Sequence, residues 1–283
     1  TTNCLVWNMN LPKPPFAIRK ADPHLFVGVG QQLHYVRPIQ SNDNQQFEFV
    51  PLPIILPTAI CFIEHSGHYL YLADRVESVF VYRYDIDDKQ GIQVALIAID
   101  TTPRHVTSMT LINEYTVAVG EKNGTITILR LPNDAIGDTK QQWRVSIPPA
   151  RGISINNPVG QLIKAATFCI SEAVTSLNMG SQGTLFYTSL LGQIGALIPL
   201  DSDEHYLTLL NAEYTAEQLR TEEFGLTIMR KVPMEKISVV YCDIIDLIQN
   251  MSKQGQKKFE SATNSHFQSL LGLTCMIKQK AKF

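Results

Sequence analysis

Apolar and polar positions follow one repeated layout in four segments of the chain: an apolar strand, a short polar or glycine turn, and a second apolar strand. The segments are LFVGVGQQLHYVRP from Leu25, YLYLADRVESVFVYRY from Tyr69, TVAVGEKNGTITILRL from Thr116 and LFYTSLLGQIGALIPL from Leu185. Their starts are 44, 47 and 69 residues apart, and a polar insert containing Pro and Gly over residues 133–160 accounts for the longest gap. Periods of about 40–50 residues with four strands each are typical of β-propeller blades.

Further apolar runs between these hairpins supply the remaining strands of the blades. PTAICFIEHSGHYL and HVTSMTLINEYTVAV each place a strand before a hairpin, and GIQVALIAID supplies an outer strand after the second hairpin. LIKAATFCISEAVTSLNM fills the position before the fourth hairpin. A sandwich of independent sheets is the structural alternative, but it does not predict a near-constant period. Because four blades are few for a closed ring and an open ring exposes strand edges, we expect the chain to be part of a larger propeller protein.

Helical spacing replaces strand alternation near residue 201. Ser202 is a candidate N-cap, and the helix that it begins places three apolar side chains on one face: Tyr206, Leu209 and Leu210. DIIDLIQNM repeats the helical spacing with Ile244, Ile245, Leu247, Ile248 and Met251. SHFQSLLGLTCMIKQKAKF predicts a third helix, broken or bent at Gly272.

The fold class that follows is mainly β: partial, WD40-like β-propeller blades over residues 1–200, then a small α-helical C-terminal domain over residues 201–283. Apolar residues make up 45% of the chain and charged residues 18%, the balance of a globular protein. The net charge of −2 gives no global basic field, so we do not expect a nucleic-acid-binding protein. The local lysine runs fit exposed helix faces better: Lys253, Lys257, Lys258, Lys278, Lys280 and Lys282.

Five dispersed cysteines without a C-x-x-C pair are typical of reduced core thiols in a cytosolic or nuclear protein. No run approaches the roughly 18 apolar residues of a membrane-spanning helix, so we expect no membrane partner.

Candidate catalytic or metal-binding residues do not form a consistent set. GVGQQL at Gly28 lacks the third glycine and the following helix of a phosphate loop, so it is interpreted as a hairpin turn. His65 and His68 have no second ligand pair, and the acids of YDIDDKQG lack the regular spacing of a calcium loop. We therefore expect no enzyme, no metal and no cofactor. Five strand tyrosines are interpreted as packing between blades rather than as a base-stacking platform: Tyr35, Tyr69, Tyr71, Tyr82 and Tyr84.

Several stretches together resemble one family. YLADRVESVFVYRYD, followed by AIDTTPRHVTSMTLINEYTVAVGEKNGTITILRLP, is similar to the last propeller of the splicing factor 3b subunit 3 family. This family is related to the large subunits of damage-specific DNA-binding protein and of cleavage and polyadenylation specificity factor. SEAVTSL and LFYTSLLGQIGALIPL resemble the closing strands of that propeller, and TTPRHVT and NGTITILRLP favour the splicing subunit. The chain departs from the family at His105, where a Trp is usual, and at Cys242, where a Gly is usual.

The resemblance implies a non-catalytic scaffold of the splicing factor 3b complex in the nucleus, within the U2-type spliceosome. It implies that such a subunit clasps a HEAT-type helical-repeat subunit and a small companion subunit during recognition of the pre-mRNA branch site, with little direct RNA contact. The remaining propellers of the parent protein would be further partners. The alternatives in the same fold are a propeller adaptor of a cullin ubiquitin ligase and a subunit of the mRNA cleavage and polyadenylation machinery.

A partner groove between two propellers is a further implication of the resemblance. In relatives it is lined by the turn of the second hairpin, a Pro-containing connector and the strand before the fourth hairpin. The matching positions are Glu77, Ser78, Arg104, His105, Ile163, Lys164 and Ala165. The alternative for each is an ordinary surface or blade-packing residue. If the groove assignment holds, Arg104→Glu weakens assembly without unfolding the protein.

Overall fold

Four antiparallel sheets follow one another along the chain, as the four hairpins predict. The computed structural model describes residues 10–22, 24–39, 46–87, 91–136, 160–224, 239–240, 251–263 and 267–279. The first sheet contains β1 (Pro15–Ala21), β2 (His24–Val29), β3 (Gln32–Ile39) and β4 (Gln46–Ile55). The second contains β5 (Ile60–Ser66), β6 (Tyr69–Asp74), β7 (Val79–Asp87) and β8 (Gly91–Ile99). These sheets correspond to the first two predicted blades.

The third and fourth blades continue the same order. The third contains β9 (Val106–Asn113), β10 (Thr116–Glu121), β11 (Thr125–Arg130) and, after the polar insert, its outer strand, which we number β13 (Ile163–Cys169). The short β12 (Gly160–Gln161) joins the outer edge of the second blade in parallel with β8. The fourth blade contains β14 (Val174–Met179), β15 (Leu185–Ser189) and β16 (Ile194–Leu197).

One assignment from the sequence needs correction. LIKAATFCISEAVTSLNM does not form a single strand before the fourth hairpin, because it holds β13 and β14, which belong to different blades. The break falls at Ser171, whose φ of 63° turns the chain from the outer edge of one blade to the inner edge of the next. In the GVGQQL turn, Gly30 has a φ of 58° between β2 and β3, so the hairpin interpretation is confirmed.

Apolar side chains of neighbouring sheets form the core between the blades. Strand alternation sends Leu70 and Leu72 of β6 toward the first blade, while Tyr69 and Tyr71 of the same strand pack with residues of the third blade. A third cluster joins the third and fourth blades through Ile126, Phe168, Val174, Leu177 and Leu185. The interpretation of the strand tyrosines is confirmed, since all five are buried in these clusters. Adjacent innermost strands also contact one another, which is the arrangement of propeller blades.

Three helices follow the strands within the described residues: α1 (Asp203–Phe224), α2 (Lys253–Thr263) and α3 (Phe267–Gln279). Ser202 caps α1, because its Oγ accepts a hydrogen bond of 3.1 Å from the His205 N–H. The predicted apolar face of α1 is only partly correct, since Leu209 is buried and Leu210 is exposed. The sequence predicts a helix broken or bent at Gly272, and a break is wrong because α3 continues through this residue.

The mainly β fold class is confirmed, and the exposed lysines of α2 fit the predicted solvated face. DIIDLIQNM lies outside the described residues except for its final Met251, which is buried. The strands end at Leu197 and α1 begins at Asp203, while the division into two domains stays a prediction. Among the described residues, no helix is long and apolar enough to cross a membrane.

Candidate partner interface

The turn of the second blade is organised by the carboxylate of Asp74. Its Oδ1 accepts hydrogen bonds from the backbone N–H groups of Val76 at 3.1 Å and Glu77 at 2.7 Å. Its Oδ2 accepts one from the Thr58 N–H at 3.1 Å, in the connector that arrives from the first blade. An aspartate at the first position of a turn commonly makes such bonds to the residues that follow it. Asp74 therefore fixes the path of Glu77 and ties it to the preceding connector.

Arg104, in the connector between β8 and β9, joins the second and third blades. Its Nε donates to Asp100 Oδ2 at 2.5 Å, and its Nη1 donates to Glu121 Oε1 at 2.7 Å and to Thr127 Oγ1 at 3.0 Å. The three charged side chains are almost inaccessible, with 6% of Arg104, 4% of Asp100 and 7% of Glu121 exposed. We call Asp100, Arg104, Glu121 and Thr127 the connector cluster.

The electrostatics of the connector cluster keep Arg104 charged. Burial alone lowers the pKa of Arg104, but the charges and hydrogen bonds of Asp100 and Glu121 outweigh burial and raise that pKa. One guanidinium faces two carboxylates, so the cluster carries an excess negative charge, which hydrogen bonds from hydroxyl groups reduce. The Ser78 hydroxyl donates to Asp100 Oδ2 at 2.6 Å, and the Thr127 hydroxyl donates to Glu121 Oε1 at 3.2 Å. This pairing is what a buried ion network requires.

Backbone hydrogen bonds align three surface segments around the connector cluster. The Arg104 N–H donates to the Glu77 carbonyl at 3.1 Å, and the Lys122 N–H donates to the His105 carbonyl at 3.0 Å. The turn of the second blade, the connector and the turn of the third blade thus lie side by side. His105 and Lys122 are exposed, and Glu77 is half-buried. These three residues form a surface that we call the connector ridge.

The structure places the seven predicted contact residues in three different environments. Ser78 and Arg104 are buried in this chain, which fits the alternative of packing between blades, and their contact with a partner stays a prediction. Glu77 and His105 lie on the connector ridge. Contact of these two residues with a partner stays a prediction.

The segment of Ile163, Lys164 and Ala165 directly follows a contact with the connector. The Leu162 N–H donates to the Ile99 carbonyl at 2.9 Å, and Gln161 Nε2 donates to Thr101 Oγ1 at 2.7 Å. The segment begins β13, where Ile163 pairs with Arg130 at the end of β11 that is farther from the third-blade turn. Arg104 instead reaches Thr127, which pairs with Thr167. Ile163 is half exposed, and a role in binding for this segment also stays a prediction.

Asp100, Glu121 and Thr127 are the functional residues that sequence reasoning missed. One signal is local in the sequence: Asp100 directly follows an apolar strand, and Arg104 comes four residues later. Glu121 is the last residue of the buried strand β10 and is its only charged residue, so its charge needs a partner. These two signals indicate buried charges that need partners, but they do not show that Asp100 and Glu121 share one arginine.

Other candidate chemistry takes no part in this site. Within the described ranges, no group of three His, Cys, Asp or Glu side chains could hold a metal ion. The His65 ring nitrogen Nε2 lies 2.8 Å from the Lys20 carbonyl. Burial raises the pKa of the Cys61 thiol to about 11, so this thiol is protonated at neutral pH. Cys275 is exposed, which corrects the expectation that the cysteines are core thiols.

The four consecutive blades, with their inner strands in contact, define a β-propeller protein. A family model described as "CPSF A subunit region" matches residues 5–226, and the chain belongs to this family. The resemblance to the splicing factor 3b subunit 3 family is confirmed by curated relatives.

One relative is "Splicing factor 3B subunit 3" of Drosophila melanogaster, 32% identical over 163 residues, covering 53% of this chain and 12% of that protein. "Probable splicing factor 3B subunit 3" of Dictyostelium discoideum is 26% identical over 208 residues, covering 71% of this chain and 16% of that protein. "Pre-mRNA-splicing factor RSE1" of Mycosarcoma maydis is 28% identical over 214 residues, covering 70% of this chain and 16% of that protein. The matched part of the chain thus spans less than a fifth of the length of each relative.

Proposed function

We propose that this chain is part of a non-catalytic scaffold subunit of the splicing factor 3b complex, which acts in the nucleus in branch-site recognition. The observation that carries the proposal is the membership of the CPSF A subunit region family together with relatives named as splicing factors. In this role the parent protein clasps a HEAT-type helical-repeat subunit and a small companion subunit. The near-neutral net charge supports little direct contact with RNA.

The connector ridge is a part of the described surface that fits protein binding. Its backbone is held by the buried connector cluster, so its exposed side chains are presented by a rigid support. Rigid presentation lowers the entropy that binding must overcome. We assign His105 and Glu77 to partner contact, and we assign Arg104 to the support beneath them. We also assign Ile163, Lys164 and Ala165 to partner contact, because β13 begins beside the connector.

A subunit of the cleavage and polyadenylation machinery is the second candidate, because the description of the matching family model names the CPSF A subunit. The cullin adaptor remains a third alternative within the same fold. Affinity purification of the intact parent protein from nuclear extract, followed by mass spectrometry and RNA sequencing, separates the three. Recovery of a large helical-repeat protein with a spliceosomal small nuclear RNA supports the splicing scaffold. Recovery of cleavage factors or of a cullin contradicts it.

The role of the connector ridge is tested in the same experiment with two matched variants. His105→Glu adds one negative charge to the ridge, and Gln254→Glu adds the same charge to the exposed face of α2. We expect His105→Glu to reduce co-purification of the helical-repeat protein severalfold, while Gln254→Glu leaves it unchanged. Equal recovery with both variants removes the ridge from the proposed interface.

A further inference from the structure

The turns and connectors at one end of the blades form a continuous surface. The turns join the second and third strands of each blade, and the connectors lead from one blade to the next. The connector ridge lies in the middle of this surface, and further hydrogen bonds extend it to both sides. These bonds run from the Leu56 N–H to the Gln31 carbonyl at 2.9 Å, from the Arg75 N–H to Thr58 Oγ1 at 3.1 Å, from the Ile170 N–H to the Gly124 carbonyl at 2.8 Å and from the Leu190 N–H to the Ala173 carbonyl at 2.9 Å. We call the surface the turn face, and it comprises residues 30–31, 56–59, 74–78, 100–105, 121–124, 170–173 and 189–193.

Each of the first three blades presents an exposed basic side chain on the turn face. Lys13 lies over the first turn, because a Cβ placed on Gly30 would be 2.8 Å from Lys13 Cδ. Arg75 belongs to the second turn, where its guanidinium carbon lies 5.6 Å from the centroid of the Phe16 ring. Lys122 belongs to the third turn. Among the described residues, none of these three cations forms an ion pair, so their charges are available to a partner.

Three acids of the same face are withdrawn from its surface. Asp74 and Glu121 are buried, and only 4% of the Asp100 side chain is exposed. Their carboxylates accept the hydrogen bonds already described from backbone N–H groups, from hydroxyl groups and from Arg104. The charged groups that an approaching partner meets first on the turn face are therefore the three cations.

The charge balance of the turn face separates two classes of partner. With the half-buried Glu77 and Glu172 the face carries five acids, against the three exposed cations and Arg104. Because this balance gives no net positive field, a polyanion such as RNA gains little from contact with the whole face. Single carboxylates are attracted at short range, since the interaction between two charges weakens with distance and is screened by salt. Val76, which is 39% exposed, adds an apolar contact directly after Arg75, and this combination fits an acidic protein segment.

We propose that the turn face binds a segment of another protein in which Asp or Glu side chains flank an apolar residue. The carboxylates pair with Arg75 and Lys122, and with Lys13 where the segment reaches the first blade, while the apolar residue packs on Val76. Arginine suits this role, because its guanidinium can bind one carboxylate through two parallel hydrogen bonds. The proposal rests on the proposed function in one respect, namely that the connector ridge contacts a protein partner, and it adds the chemistry of that partner.

A photo-crosslinking residue in place of Val76, in the intact parent protein, identifies what lies on the turn face. The variant is incubated with nuclear extract and irradiated, and the crosslinked peptides are identified by mass spectrometry. We expect a segment of another protein that has acidic residues on both sides of the crosslinked position and more acidic than basic residues. A crosslink to RNA, to a basic segment or to the same polypeptide overturns the proposal, and so does the absence of any crosslink to a protein.

Reversal of the exposed charges tests the ion pairs. Arg75→Glu combined with Lys122→Glu places like charges opposite the acidic segment, and Lys253→Glu combined with Lys257→Glu makes the same change of charge on the exposed face of α2. We expect the first combination to lower the crosslink yield at position 76 at least about tenfold, and the second to leave it unchanged. Equal yields with both combinations overturn the proposal. If the first combination does not fold, Arg75→Gln and Lys122→Gln decide the question, with an expected loss of about threefold each.

A charge exchange with the partner completes the test. Lysine in place of the acids of the crosslinked segment should restore the yield with the charge-reversed variant and lower it with the wild type. Failure to restore the yield overturns the pairing of these carboxylates with Arg75 and Lys122. The identity of the crosslinked protein tests the proposed function separately. An acidic segment of a cleavage factor would contradict the splicing assignment alone, whereas a neutral segment of a splicing protein would contradict the present proposal alone.

Discussion

Two ion pairs that join neighbouring blades differ sharply in their surroundings. Arg19 of the first blade contacts Glu64 of the second at 2.6 Å, with 46% of the arginine and 13% of the glutamate side chain exposed. Arg104 contacts Asp100 and Glu121 between the second and third blades, and each of these side chains is less than a tenth exposed. The Arg19–Glu64 pair supplements a contact between blades that apolar side chains already form. The second fixes the connector, because its removal leaves buried charges without a partner.

The largest effect is expected at the buried arginine. Arg104→Ala leaves the carboxylates of Asp100 and Glu121 unpaired in the interior, and we expect it to lower the free energy of unfolding by about 3–5 kcal/mol. Urea unfolding followed by tryptophan or tyrosine fluorescence measures this loss. The control is Lys122→Ala on the neighbouring exposed turn, for which we expect a change within about 0.5 kcal/mol.

We expect Arg104→Lys to lower the free energy of unfolding by an intermediate amount, because lysine keeps the charge but lacks the forked guanidinium that reaches both carboxylates. A loss for Arg104→Ala no larger than that for Arg19→Ala would contradict the distinction between the two ion pairs. The same reasoning replaces the expectation from the sequence that Arg104→Glu spares the fold. A negative charge beside two buried carboxylates destabilises it further.

The apolar contact between the first and second blades is the next feature to break. Leu72 is fully buried among side chains of the first and second blades, and we expect Leu72→Ala to cost about 3 kcal/mol through lost burial and the cavity that remains. Leu191→Ala is the matched control, because Leu191 is 80% exposed and its truncation should change stability by less than about 0.5 kcal/mol. The urea midpoints of both variants check the difference. Similar midpoints would argue against tight packing between these blades.

Local pattern predicts the hairpins well, because strand alternation and turn residues are encoded within a few positions. The contacts of the connector cluster cannot be predicted from such local patterns. Asp100 and Arg104 lie in the connector and Glu121 ends β10, so their contact depends on how two blades pack. A similar limit explains β13, whose pairing with β11 follows a long insert, so sequence order alone assigns it to the wrong blade. The burial of Ser78 and Arg104 likewise depends on neighbours distant in sequence. Contacts with partners depend on how the complex assembles, which local sequence patterns do not encode.

Glycine substitutions compare close packing between blades with open space on a helix. A Cβ at Gly120 would lie 2.5 Å from Cγ1 of Val174 in the fourth blade, so we expect Gly120→Ala to destabilise the chain by about 1–3 kcal/mol. Among the described residues, no atom outside the neighbouring residues and the helix backbone lies within 4 Å of the Cβ position at Gly272 in α3. Gly272→Ala should therefore stabilise the helix by roughly 0.5–1 kcal/mol, since alanine restricts the unfolded chain and favours the helix. Thermal unfolding of the two variants gives shifts of opposite sign, and shifts of the same sign would contradict the packing described for Gly120.

The smallest effect is a pH dependence at the ion pair of Arg19 and Glu64, in which the arginine is about half exposed and the glutamate is mostly buried. Burial raises the pKa of Glu64, and the nearby charge of Arg19 only partly offsets this. A raised pKa in the folded state means that the contribution of Glu64 to stability is fully present below the pKa of the unfolded chain and is lost as the pH rises through the folded pKa. We expect Glu64→Gln to remove this decline of stability above about pH 4.5, and Arg19→Ala to steepen it. Urea midpoints measured from pH 4 to 7 for the wild type and both variants check the sign. A steeper decline of stability with pH in Glu64→Gln would mean that attraction to Arg19 outweighs burial. The Arg19–Glu64 pair would then resemble the connector cluster, with a smaller contribution to stability.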